Sequence, residues 1–131
     1  MKLAVCVSVF ALTANTVLSE EAVNFNRDIR PILANNCFRC HGPDAETREA
    51  GLRLDQFDAA TKELDSGDRA IVPGDVGSSQ IMARIHSDDE DLRMPPADLG
   101  PPLTDAEVAL LEQWVQPVSY THLTLPTICS V

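Results

Sequence analysis

The stretch Cys37-Phe38-Arg39-Cys40-His41 decides how this chain is read, because two thiols three residues apart are followed at once by an imidazole. On a helical turn the two thiols point to the same side. They can then add to the two vinyl groups of one haem, while the next residue brings an imidazole under the iron. With 4 Cys and 3 His in 131 residues, random placement would produce the pattern roughly 0.003 times per chain, so the string is a strong signal.

Three other readings compete. Zinc would need a fourth ligand beyond Cys37, Cys40 and His41, and the surrounding chain offers only His86 or carboxylates, with no second cysteine pair at the usual spacing. A redox dithiol belongs at the head of a helix that follows a strand, and no strand-like run precedes Cys37. A structural disulfide between Cys37 and Cys40 would close a tiny loop, which constrains the unfolded chain very little and leaves His41 unexplained.

A six-coordinate haem needs a distal ligand, and Met82, His86 and Met94 are the candidates. Met94 is chosen: it lies in Asp91-Leu92-Arg93-Met94-Pro95-Pro96, where the two prolines forbid helix and present the thioether from a stiff loop. A sulfur opposite an imidazole favours ferrous iron and raises the potential. Met82 falls within the helical pattern Ile81, Met82, Ile85, where methionine usually fills core. His86 ends that helix, a position the helix dipole explains, and it stays as the alternative distal ligand.

Working outward, Phe25, Ile29, Ile32 and Leu33 share one helical face leading into Cys37, and that face is expected to pack on the last helix. Pro31 either marks a first turn or kinks this helix. Gly42-Pro43-Asp44 stops the turn that carries His41. Residues 45–68 read as a loop wrapping the haem edge, with a short apolar alternation at Leu52 and Leu54 and room for one small strand or turn. Ile71-Val-Pro-Gly-Asp75 turns into Ser78-Ser79, an N-cap for a helix from Gln80 to His86. Thr104-Asp-Ala-Glu107 is a capping box opening a final helix whose buried face holds Val108, Leu111, Trp114 and Val115. Trp114 suits either core or pocket wall. The fold class is therefore all-α: three to four short helices and long loops around one covalently bound haem, which supplies the core that so short a chain lacks.

The two ends read differently from the middle. Lys2, the apolar run from Leu3 to Ala14 and the residues Val17-Leu18-Ser19 predict an export signal over 1–19, too short for a membrane span, so no membrane insertion of the mature domain is expected. The uncharged string Val118-Ser-Tyr-Thr-His-Leu-Thr-Leu-Pro-Thr127 resembles a translated sequencing adapter, so 118–131 are set aside as non-native and the natural protein is expected to continue past Pro117. The domain is then 20–117, with nine basic residues against twenty acids and a net charge of −11. Such a charge excludes nucleic acid and points to a basic surface on a redox partner or fused downstream domain. The expected location is the periplasm or cell envelope.

The ordered series Phe25-Asn-Arg-Asp-Ile-Arg-Pro-Ile-Leu33, Cys-Phe-Arg-Cys-His-Gly-Pro-Asp44, Gly51-Leu-Arg-Leu-Asp55, Ile71-Val-Pro-Gly-Asp75, Leu92-Arg-Met-Pro-Pro96 and Leu103-Thr-Asp-Ala-Glu107 resembles a planctomycete-type cytochrome c domain. The resemblance covers Val23 to Val115. It implies a small cytochrome c-like fold, one covalent haem c on Cys37 and Cys40, His41 as proximal iron ligand and Met94 as the distal one. It also implies that such domains commonly stand at the N-terminus of longer exported proteins. The expected function is electron transfer, without catalysis by the polypeptide itself. The alternative is a haem-based sensing module with an exchangeable distal ligand.

Overall fold

Asn24 opens the first helical segment by accepting a hydrogen bond from the Arg27 amide, while its own amide donates to Asp28. In the computed structural model, which describes residues 22–116, the segment begins as a π-helical turn, Phe25–Ile29, and continues as α1, Arg30–Asn36. Pro31 sits in the first turn of α1, where a missing N–H leaves no helical bond broken, and this settles its role. Ile29, Ile32 and Leu33 are buried, and Phe25 meets the ring of Trp114 with centroids 5.5 Å apart.

A single turn, α2 (Phe38–His41), follows α1 after Cys37, and α3 (Phe57–Thr61) lies in the stretch expected to be loop. Two alanines favour helix there, and the Thr61 hydroxyl donates back to the Phe57 carbonyl. Beyond it, Glu63 and Arg69 form an isolated antiparallel bridge, so the expected small strand is reduced to one residue pair. The remaining helices are α4 (Gln80–Ile85) and α5 (Asp105–Val115). Thr104 and Glu107 make both bonds of the capping box at the head of α5. Among the described residues the structure is helical with no strand, in keeping with an all-α class, and has five α-helices where three to four were expected. The expected segments at 1–19 and 118–131 lie outside the described residues.

The core joins Ile29, Ile32 and Leu33 to Ile81, Met82 and Ile85 of α4, to Leu111 and Val115 of α5, and to loop residues Leu52, Leu54, Ala60, Ala70 and Ile71. Met82 is thus core, and Trp114 packs against this core beside Phe25 and is not among the residues lining the cavity at Cys37. The loops are tied in by backbone bonds: Ile71 donates to Ala60, Ile81 to Ala70 and Gly74 to Val115.

Ser79 stands at the N-cap of α4, yet its side chain does not cap that helix. Only 1% exposed, it accepts from the Val72 amide at 2.9 Å and donates to the Asp75 carbonyl at 2.7 Å, stitching the preceding turn closed. Ser79→Ala strands the Val72 amide and is expected to lower stability by about 1–3 kcal/mol in urea denaturation.

Candidate functional site

Cys37 has a backbone (φ −126°, ψ −39°) that departs from the helical values on either side. Its amide still donates to Leu33, and its carbonyl receives the amides of both Cys40 (3.1 Å) and His41 (2.8 Å), so the break between α1 and α2 is bridged from both directions. Four residues apart on this turn, Cys37 and His41 reach the same side. Both line one cavity of about 280 Å³.

The walls are apolar. Leu52 and Leu54 come from the loop after α2, Ile81 and Ile85 from α4, and Pro95 and Leu103 from the segment between α4 and α5. Met94 lines the same cavity. Cys40 is half-buried but is not among the lining residues, and neither Met82 nor His86 is. His86 is instead at the C-cap of α4, exposed, with Nε2 at 2.9 Å from Glu112 Oε1 on α5.

The loop carrying the leucines is fastened to the carbonyl end of α2, where a helix leaves acceptors without partners. Glu49 donates its amide to Cys40 and Leu54 donates to His41, each at 2.8 Å. Arg48 adds a fork, with Nε on the Gly42 carbonyl and Nη2 on that of Pro43. The turn between these anchors passes through Ala50 and Gly51 in the left-handed region (φ 53° and 63°), which glycine adopts freely and alanine does not.

The Met94 side is built in a related way from the end of α4. The Arg84 carbonyl accepts from the Met94 amide at 3.1 Å, and the Arg84 guanidinium donates to the Leu92 carbonyl at 3.3 Å. Asp89 caps the intervening turn by accepting the amides of Leu92 and Arg93. Pro95 and Pro96 then prevent the chain from resuming a helix, and the Met94–Pro95 peptide is cis.

Burial governs the chemistry of the two groups nearest the cavity. It pushes the Cys37 thiol up to about 11, with the neighbouring Cys40 adding to the effect. It also holds His41 below its ordinary 6.5, against a smaller opposing pull from the backbone and charge of Glu49. At neutral pH the thiol is therefore protonated and the imidazole neutral, with a lone pair to offer. His41 Nδ1 is buried and has no hydrogen-bond partner. Cys37 and Cys40 are free thiols. Among the described residues no group of three or more His, Cys, Asp or Glu side chains could hold a metal ion, which removes support from a zinc set of Cys37, Cys40 and His41.

Sequence reasoning placed Cys37, His41, Met94, Leu52 and Leu54 near one site but missed Arg84, which also lines the cavity. Its signal was available: Arg84 is three residues after Ile81, on the cavity face of α4. The tie from Leu54 to His41 had no signal in either residue.

Residues 37–98 match a family model described as Planctomycete cytochrome C. No curated protein and no solved structure matches the chain.

Gly42 is buried at the exit from α2, and a Cβ there would lie 2.2 Å from the Phe38 carbonyl oxygen. That contact is with backbone and cannot be relieved by a side-chain rotation, so Gly42→Ala is expected to cost about 3 kcal/mol in denaturant unfolding.

Proposed function

The chain belongs to the planctomycete cytochrome c family through residues 37–98, and from that premise we propose that it is a one-haem electron-transfer module. In this reading Cys37 and Cys40 carry the haem as thioethers, His41 is the proximal iron ligand and Met94 the distal one. The observation that carries it is that Cys37, His41 and Met94 line a single apolar cavity.

The residues present fit such a group. A large, flat, apolar macrocycle is suited by walls of leucine, isoleucine and proline, and soft iron by a neutral imidazole and a thioether. The Nδ1 of His41 is buried without a hydrogen-bond partner, so one nitrogen of this imidazole is left unsatisfied by the polypeptide. When bound, haem supplies one-electron chemistry by moving between ferric and ferrous iron. The chain's own part is to attach the group through two thiols, hold His41 neutral, present Met94 from a turn anchored on Arg84, and keep water from the site with Leu52, Leu54, Ile81 and Ile85. No bond in a substrate is made or broken by these residues, and the module is proposed as a carrier rather than an enzyme.

Cytochrome c domains are generally exported, and no helix among the described residues is long and apolar enough to cross a membrane. We place the module in the periplasm or cell envelope, where its partner is a redox protein or fused domain with a basic surface. The exposed acidic turn Asp88 to Asp91, beside the segment that carries Met94, supports that choice of partner charge.

The full chain, expressed in an exporting host with haem c maturation machinery, is expected to keep a haem stain through denaturing electrophoresis and to give a low-spin spectrum with the Met-to-ferric-iron band. Met94→Ala should abolish that band and admit carbon monoxide to the reduced protein, whereas His86→Ala should leave both spectra unchanged. Loss of the low-spin spectrum in His86→Ala would move the distal role to His86. Rapid carbon monoxide binding by the wild type would favour the sensing module instead.

A further inference from the structure

A haem carries two carboxylates on an otherwise apolar disc, and a carboxylate brought against apolar walls needs a hydrogen-bonding cation to offset its desolvation. Among the described residues, Arg84 is the one arginine or lysine lining the cavity, beside Leu52, Leu54, Ile81 and Ile85. Among the described residues, its guanidinium makes one hydrogen bond, to a neutral acceptor, the Leu92 carbonyl. Although the chain has twice as many acids as bases, and Asp88 to Asp91 follow α4 closely, Arg84 forms no ion pair among the described residues.

Arg93 lies next to this cavity in the chain, beside Met94, but is not among its lining residues. It is half-buried, its Nε is buried without an acceptor, and it too forms no ion pair. A guanidinium N–H left in this condition loses its water and gains nothing, which is an uncommon state for a buried donor. The two arginines belong to one small unit, since the Arg84 side chain holds the Leu92 carbonyl and the Arg84 carbonyl holds the Met94 amide, on either side of Arg93. Asp68 is the lone carboxylate lining the cavity, and it lies 3.4 Å from the Gln80 amide rather than on Arg84.

We propose that Arg84 is the carboxylate-binding residue of this cavity and takes one haem propionate. The assignment rests on the haem reading above. Guanidinium suits the task because its planar fork meets both carboxylate oxygens and stays charged at all working pH values. It also makes the α4 turn a joint support: one short segment presents Met94 through its backbone and the propionate partner through one side chain.

The test is carbodiimide-driven coupling of glycinamide to the holoprotein, native and in urea, followed by release of the haem from its thioethers with a silver salt and weighing of the porphyrin. In the native wild type one propionate is expected to stay unmodified, and both are expected to couple in urea. Native Arg84→Gln should gain the second coupling, Arg84→Lys should fall between, and Lys62→Gln, an exposed charge away from the cavity, should match the wild type. Coupling of both propionates in the native wild type overturns the proposal, and so does an Arg84→Gln pattern identical to the wild type. Should Arg84→Gln fail to fold, the wild-type comparison of native with urea still decides. Absence of any haem after denaturing electrophoresis is the separate failure, that of the haem reading itself.

Discussion

The Leu54 amide donates to the His41 carbonyl, and most of what makes a cavity here depends on that bond. Without it the His41 carbonyl at the end of α2 would lack a partner, and the loop that carries Leu52 and Leu54 into the same cavity would be held there by Glu49 and Arg48 alone. The same few carbonyls at the end of α2 also receive Glu49 and Arg48, so one exhausted helix turn organises about ten residues of chain that have no regular structure of their own. This is an economical way for a short polypeptide to wall a space. Apolar residues reach the site from irregular backbone, and the backbone is held by acceptors that the helix could not use itself.

Charge is distributed to suit the same site. Most of the acids are exposed, as in the turn from Asp88 to Asp91, while the arginines that are half-buried have specific duties. Arg48 clamps carbonyls, Arg53 pairs with Asp55, and Arg84 faces the cavity. An acidic surface around an apolar cavity that Arg84 also lines keeps negative potential where a basic partner would dock and a cation where a buried carboxylate would need it.

Local signals were legible in the sequence where the physics is local. The face Phe25, Ile29, Ile32 and Leu33, the capping box at Thr104 and Glu107, and the core role of Met82 all follow from helical spacing or from contacts within one turn. What the sequence did not disclose depends on partners distant along the chain. Ser79 has the right type and position for a cap, yet its hydroxyl is taken by Val72 and Asp75, because the turn before α4 folds back over it. α3 forms in a stretch whose polar composition reads as loop, with Ala60 buried and its carbonyl accepting from Ile71. The motif Cys-x-x-Cys-His was legible as chemistry, but the partner of His86 was not, since Glu112 belongs to a different helix.

The two sides of the cavity are anchored unequally. The His41 side is continuous with α1 and clamped by three separate donors, whereas the Met94 turn is tied to the end of a six-residue helix by two hydrogen bonds to one residue, Arg84, after an exposed turn. Segments held by few buried contacts open at lower free energy than the elements they lean on, so subglobal opening begins with the 88–96 segment while the thiol-bearing turn keeps its native form. The fold thus contains a hierarchy of persistence, with a durable half that fixes where the ligand group sits and a looser half that sets how long its far face stays covered.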